Sequence, residues 1–600
     1  MIFVDVAPFC DICHNFKKFG GKKRFDQSMK TKYSIPQNEI AQALLGFKST
    51  FRTVGVFSAI INLLLLTPSL YMLQVYDRVL PSRNDVTLLM VTLIALGAYI
   101  FMSALEFVRS FILIRVGARL DEKLNKRVYT AAFEQSLKRG GGNAGQALQD
   151  LTTIRQFLTG NALFAFFDAP WFPIYLIVIF LFNVWLGLFA LGGTLILIWL
   201  AYYNEKVSHK PLAEANVMAV ASTALATNNL RNAEVIEAMG MLPNLQARWY
   251  RKHKKFIGLQ AEASEKAGTV GAFTKFMTVT TQSFVLGLGG LLAVQGSITP
   301  GMMIAGSILM GKAMGPVQML IGVWRQFAST RSAYERLVAL LAANPPRGTG
   351  MSLPAPTGAI SLENVTAAPP GSPVAVIKGL NFSTEPGDVL GVIGPSGSGK
   401  STLARLLVGV WPAAMGKVRL DGADVAQWNK DELGPYIGYL PQDIELFEGT
   451  VSENIARFGE VDPEKVIEAA QRAGVHEMIL MLPKGYDTVL GDGGNGLSGG
   501  QKQRIGLARA MYGDPVMLVL DEPNSNLDEI GEQALVRAIT ELRQRGKTIV
   551  LVTHRTSIIG TTSKLLLMRD GVAQLFGPTD QVLSVLAQKQ IRQEQEEKAA

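Results

Sequence analysis

The sequence predicts a two-part chain, an α-helical membrane domain of six spans followed by an α/β domain built around a phosphate loop. Three observations carry this. Six mainly apolar runs, each of about the 20 residues that a helix needs to cross a bilayer, occupy roughly 54–73, 86–105, 162–182, 184–203, 276–294 and 298–320. A complete G-x-x-x-x-G-K-[ST] pattern stands at Gly394-Pro395-Ser396-Gly397-Ser398-Gly399-Lys400-Ser401. Mean hydropathy is +0.22 and 48% of the 600 residues are hydrophobic, too apolar for an ordinary soluble enzyme.

Residues 1–40 read as a basic, disordered cytoplasmic tail with no cleavable signal peptide. Within it Cys10-Asp11-Ile12-Cys13-His14 matches the c-type haem attachment pattern and offers three metal-ligand side chains. Neither haem nor zinc is expected there, because the cysteines fall on the cytoplasmic side by the charge argument below and no second ligand pair follows.

The membrane domain is assigned to 41–342. Short turns join spans one and two, three and four, and five and six, while two long stretches separate the pairs and must share one side of the membrane. Arg109, Arg115, Arg119, Lys123, Lys126, Arg127, Lys138, Arg139 and Arg155 load the first stretch, and Lys206, Lys210, Arg231, Arg248, Arg251, Lys252, Lys254, Lys255 and Lys266 load the second. The turns at Asn183 and 295–299 carry no Lys or Arg, so the long loops are cytoplasmic. Arg78 and Arg83 in the first turn are too few to reverse this. The net charge of +9 therefore sets topology and meets anionic lipid, and no nucleic-acid module is visible. Apolar spacing at Ala118, Leu120, Leu124 and Val128 predicts that helices prolong the spans into the cytoplasm, with short segments at 148–154 and 229–238 at their far ends.

Two of the ionisable residues within or beside spans stand out, since a charge costs about 2.5–3.5 kcal/mol at mid-bilayer on insertion scales. Lys312, with Gly306, Gly311 and Gly315 around it, lines a wet substrate path or else snorkels or pairs internally. Asp168, just before Pro170, contributes to a cargo gate or caps a helix. A Pro/Gly-rich linker, 343–358, follows the sixth span.

In the α/β domain, 359–588, the apolar run 389–393 is a buried strand that feeds the phosphate loop, and residues 401–408 read as the helix behind it. Successive glycines let backbone N–H groups close around phosphate at that helix's N-terminus, where the dipole favours negative charge. Lys400 then reaches the β- and γ-phosphates, Ser401 ligates Mg²⁺, and Thr402 continues the binding turn. A second strand, 516–520, ends in Asp521-Glu522: Asp521 holds Mg²⁺ and Glu522, pointing the other way, acts as general base. The charged end, 589–600, is a solvated helix or frayed terminus.

Downstream, Tyr439-Leu440-Pro441-Gln442-Asp443, Leu497-Ser498-Gly499-Gly500-Gln501, Asn526-Leu527-Asp528 and His554 appear in that order. From about 360 to 587 the chain thereby resembles an ABC nucleotide-binding domain. The resemblance implies that Gln442 is the glutamine that senses Mg²⁺ and that Leu497 to Gln501 is the signature. It further implies that Ser498 and Gly500 bind the γ-phosphate held by a second copy, that Asp528 lies in the D-loop, and that His554 is the switch histidine. Two ATP sites shared between two copies follow. The pattern departs from the family at Val365-Thr366-Ala367-Ala368-Pro369-Pro370, where an aromatic ring for adenine is missing, so looser base preference and lower affinity are expected. Asp492 stands alone where many exporters place Glu-Arg.

The six spans before one ATPase domain resemble an ABC exporter half-transporter. Residues 66–80, with Val116-Gly117-Ala118-Arg119-Leu120-Asp121 and Asp168-Ala169-Pro170-Trp171, resemble the type I protein-secretion ATPases, and among these the metalloprotease and lipase exporter branch. That resemblance implies a homodimer in a Gram-negative inner membrane, a membrane-fusion adaptor, an outer-membrane trunk, and protein cargo with an uncleaved C-terminal signal. The 148–154 and 229–238 segments become coupling helices on the same analogy. About fifty residues precede the first span, too few for an independent peptidase core. Export of lipid, peptide or small molecules shares every ATPase motif and is the first alternative; a nucleotide-gated regulator with poor hydrolysis, raised by Pro369, is the second.

Overall fold

A computed structural model describes residues 39–139, 144–346 and 352–588, so Cys10, Cys13, His14, the basic tail and 589–600 lie outside the described residues. The described chain divides into a helical unit, residues 39–135 and 144–346, and an α/β unit, residues 352–588, with which residues 136–139 group.

The helical unit opens with α1 (Glu39–Leu45), so the boundary drawn at 40/41 falls inside a helix: Ile40 is fully buried and Glu39 pairs with Arg127 at 3.0 Å. The first span is α2 (Lys48–Leu64) and α3 (Thr67–Gln74) followed by a π turn, Val75–Val79. It breaks at Leu65-Leu66 because Pro68, in the first turn of α3, has no N–H to carry the ladder onward. The second span belongs to α4 (Asp85–Arg139), whose 55 residues make about 80 Å of helix at 1.5 Å per residue, far more than a bilayer core of about 30 Å. A short segment, α5 (Ala144–Thr159), precedes the third span, which splits into α6 (Asn161–Asp168), a 3₁₀ turn at Ala169–Trp171, and α7 (Phe172–Phe182), with Pro170 and Pro173 at the joints. The remaining spans are α8 (Val184–Arg231), α10 (Leu242–Val294) and α11 (Pro300–Ala343), with the six-residue α9 (Ala233–Ala238) between α8 and α10. Among the described residues six stretches are thus long and apolar enough to cross a membrane, and the expected helical prolongation of the spans is present.

Two expectations are corrected here. Residues 148–154 are not a short separate segment: they lie inside the 16-residue α5, where Leu151 and Ile154 are buried in the unit's own core with Leu120, Leu124 and Leu337, and the buried Asp150 accepts from Arg336 at 2.7 and 2.8 Å. Asp168 makes no capping bond; it pairs with Arg109 at 3.0 Å, and Arg109, far from being a loop charge, is 6% exposed. At the opposite turn, Asp77 accepts from Gly301 N at 2.8 Å and from Thr299 Oγ1 at 2.5 Å, closing the N-terminus of α11.

Among the described residues the α/β unit holds twelve strands: β1 (Ile360–Ala367), β2 (Ile377–Thr384), β3 (Val389–Ile393), β4 (Met415–Leu420), β5 (Ala423–Asp424), β6 (Ile437–Leu440), β7 (Gly449–Thr450), β8 (Val489–Leu490), β9 (Met517–Asp521), β10 (Thr548–Val552), β11 (Lys564–Arg569) and β12 (Val572–Pro578). The main sheet runs β12-β11-β3-β10-β9-β6, parallel except for β12, and a second, antiparallel sheet runs β2-β1-β4-β5. Helices α12 (Lys400–Leu407), α13 (Gly499–Met511) and α14 (Glu529–Gln544) flank them. Alternate residues of β9 divide between two cores: Met517 and Val519 join Leu403 and Leu407 of α12, while Leu518 and Leu520 join Ile505 of α13. That period of two decides where the acids at the strand end point. The linker's far end is fastened to this unit, because Asp421 accepts from the backbone N–H groups of Thr357, Gly358 and Ala359.

Candidate functional site

The site lies at the carboxyl ends of β3, β6, β9 and β10, where open parallel sheets bind ligands. β3 runs into the phosphate loop, whose Pro395, Ser396 and Gly397 are exposed while Ser398 and Lys400 are 2% and 7% exposed. Gly394 has φ +152, and a Cβ there would stand 2.1 Å from the Met568 carbonyl, so no other residue fits. Gly399 hands the loop to α12 in a left-handed conformation. Lys400 Nζ donates to the carbonyls of Gly394 and Pro395 at 2.9 Å each, which holds the loop's entrance and exit together. Burial pushes the lysine down from its ordinary pKa, while Glu522 and Asp521 hold it up. Ser401 and Thr402 follow on the first turn of α12.

Asp521 shares the parity of Met517 and Val519 and so faces α12, whereas Glu522 leaves the strand in the left-handed region at φ +50. Asp521 is 1% exposed and neither carboxylate oxygen makes a hydrogen bond of normal geometry. Burial raises its pKa, against the opposing pull of Ser401, Arg405 and Lys400. An anion buried with orphaned oxygens beside a serine and two cations fits a divalent cation, since a polar atom so enclosed costs free energy until something binds it.

Glu522 is held on both sides. Gln442, two residues beyond β6, donates from Nε2 to Glu522 Oε2 at 3.1 Å, and His554, two residues beyond β10, places Nε2 3.7 Å from Glu522 Oε1. Sequence-predicted Lys400, Gln442, Asp521, Glu522 and His554 are therefore brought to one end of one sheet.

The signature is not part of that convergence. Leu497 precedes α13, and Ser498 and Gln501 form a reciprocal capping box, Gln501 N donating to Ser498 Oγ at 3.3 Å and Ser498 N to Gln501 Oε1 at 2.9 Å. Ser498 and Gly499 are exposed, so this helix N-terminus presents free N–H groups at the surface. No hydrogen bond or ion pair joins 497–501 to 394–402 among the described residues. Asp528 caps α14 by accepting from Gly531 N at 2.9 Å. Pro369 lies in a turn closed by Ser372 N donating to its carbonyl at 3.0 Å. The side chain of Asp492 lies outside the described residues. Lys312 and Asp168 belong to the helical unit; Lys312 is half-buried and has no ion-pair partner among the described residues.

Sequence reasoning missed Gln503. It is 1% exposed and ties α13 to the turn after β9, donating to the Glu522 carbonyl at 3.1 Å and accepting from Asn526 N at 3.0 Å and Ser525 Oγ at 3.3 Å. A glutamine among polar neighbours at a helix start carries no local signal of such a role.

Residues 51–317 match the family described as ABC transporter transmembrane region, and residues 377–525 the family described as ABC transporter. The chain is 44% identical over 557 residues to the Type I secretion system ATP-binding protein PrsD of Rhizobium meliloti (strain 1021), covering 92% of this chain and 96% of that protein. It is 29% identical over 549 residues to the Cyclolysin secretion/processing ATP-binding protein CyaB of Bordetella pertussis, covering 90% and 77%. The structure of a bacterial Atm1-family ABC exporter with ATP bound aligns with a TM-score of 0.78 at 22% identity, over 93% of this chain and 99% of that one, a likeness of fold.

Proposed function

Since this chain belongs to the ABC transporters, among the ATP-binding proteins of type I secretion systems, we propose that it drives protein export as a homodimer whose two α/β units hold two ATP molecules between them. The chain is an ATPase coupled to transport, a multi-pass inner-membrane protein with its ATPase domain on the cytoplasmic side. The observation that carries the mechanism is the clamping of Glu522 between Gln442 and His554 beside the buried Asp521. A general base must be held within reach of its water, and a preorganised carboxylate meets that need.

In this reading the phosphate loop, 394–402, cradles ATP, with Lys400 on the outer phosphates. Ser401, Gln442 and Asp521 hold Mg²⁺, which when bound neutralises charge on the phosphates. Glu522 takes a proton from the attacking water and His554 orients the γ-phosphate. Ser498, Gly499, Gly500 and Gln501 complete the site of the second copy, the exposed N-terminus of α13 supplying the N–H donors. The short α9, with Val235 and Met239 exposed beside it, serves as a coupling helix. Domain limits near 342 and 359 follow the end of α11 at Ala343 and the start of β1 at Ile360.

The cargo is a protein with a C-terminal signal, handed to a membrane-fusion adaptor and an outer-membrane trunk; support comes from the 44% identity to a type I secretion protein over nearly the whole chain. Purified transporter in lipid nanodiscs tests this. C-terminal peptides from candidate secreted proteins are expected to change its ATPase rate. A response to lipids or small molecules alone would favour the other exporter reading, and bound ATP with no turnover would favour the regulator.

A further inference from the structure

We infer that Gln503 is a positioning residue that makes hydrolysis by Glu522 answer to whatever the N-terminus of α13 binds. The inference rests on the shared-site reading above, in which that N-terminus meets the terminal phosphate of a nucleotide held by a second copy.

Two independent contacts weld the first turn of α13 to residues 522–526. On one side, a Cβ at Gly500 would stand 2.7 Å from the Asn526 carbonyl, so helix and turn touch at backbone distance. One turn along, the buried Gln503 amide spans the turn, Nε2 donating to the Glu522 carbonyl while Oε1 accepts from Asn526 N and Ser525 Oγ. Only a side chain with both a donor and an acceptor meets all three groups, and glutamine has the reach. The anchored carbonyl belongs to the residue whose backbone sits at φ +50, a conformation that persists only where its surroundings fix it. A displacement of the α13 N-terminus on engaging phosphate is thereby passed to the Glu522 carboxylate of the same chain. Each copy reads the partner's nucleotide through Ser498 to Gly500 and sets its own base through Gln503, so nucleotide at one site speeds hydrolysis at the other.

The test is ATPase activity against ATP concentration for full-length wild type, Gln503→Met and Gln503→Asn, with nucleotide affinity and thermal stability measured in parallel. Methionine keeps length and removes all three bonds; asparagine keeps the amide but falls one methylene short. Wild type is expected to show a Hill coefficient approaching 2. The Met variant should fall to near 1 and lose about tenfold or more in kcat, with ATP affinity changed less than about threefold, and the Asn variant should lie between. If the Met variant does not fold, the Asn variant decides alone. A cooperative wild type with equally cooperative variants overturns the role of Gln503 and leaves the shared site standing. A wild type that turns over fully with a Hill coefficient of 1 overturns both.

Discussion

At the scale of single residues, Asp521 and Glu522 are adjacent acids to which the proposed mechanism gives different tasks, and the strand's parity separates them. Glu522→Gln removes the proton acceptor but keeps the hydrogen bond to Gln442 within reach. Turnover should therefore fall by about 10²-fold or more while ATP still binds within a few-fold of wild type; ATPase assay and nucleotide titration check both halves, and near-normal turnover would remove the assignment of the base. Asp521 is the opposite case, a carboxylate whose burial raises its pKa. A raised folded-state value means that ionisation at neutral pH works against folding. That penalty disappears as pH falls through the raised pKa, and relief is complete below the ordinary carboxylate value of about 3.9. Asp521→Asn should hence raise the melting temperature of the metal-free, nucleotide-free protein at neutral pH and flatten its rise on mild acidification. The same variant should lose the stabilisation that Mg²⁺ with ATP gives wild type. A lower melting temperature for the metal-free variant would count against the orphaned-carboxylate account.

Secondary elements were legible where the signal is local. The strand, loop and helix around Gly394 to Ser401, the six apolar runs and the helical prolongation of the spans could all be read from short-range pattern. What escaped depends on partners far along the chain. Arg109 looked like a loop charge and Asp168 like a helix cap, yet Asn62, Arg109 and Asp168 lie on three different spans and meet in one buried cluster, with Asn62 Nδ2 and Arg109 each donating to Asp168 Oδ1 at 3.0 Å. Tyr175 joins by donating to Asn62 Oδ1 at 2.9 Å, and Ser58 accepts from Arg109 at 2.8 Å. Nothing in a window of twenty residues announces such a network, and Gln503 hid for the same reason. The same distance between partners explains α5, which reads as no more than a short segment at 148–154 because the packing mate of its apolar face, Leu337, comes nearly two hundred residues later. A prediction follows for the three spans that the cluster joins. Asp168→Ala strands a buried guanidinium and should cost about 3–5 kcal/mol, seen as a sharp loss of folded, detergent-stable protein. Adding Arg109→Met should restore much of that yield, because a buried pair replaced as a whole is close to neutral. Strictly additive losses in the double variant would show that the two side chains do not act as a pair.

For the whole molecule, the decisive observation is that Lys400 at the strand ends and Ser498 at the start of α13 belong to segments that no hydrogen bond or ion pair joins among the described residues. If each site combines the phosphate loop of one copy with the signature of the other, inactivating changes should complement according to how they are distributed. A dimer with Lys400→Ala in one copy and Ser498→Arg in the other concentrates both defects in a single site and leaves the second intact. A dimer carrying both changes in one copy, beside a wild-type partner, puts one defect into each site and leaves none. Co-expressed copies with different affinity tags, purified through both tags in turn, give each arrangement. The split arrangement should retain ATPase activity well above that of the arrangement with both changes in one copy, since the two differ in nothing but which chain bears which substitution. Higher activity in the arrangement with both changes in one copy would mean that each chain hydrolyses ATP with its own loop and its own signature, and the fold would have to be read as a self-sufficient motor.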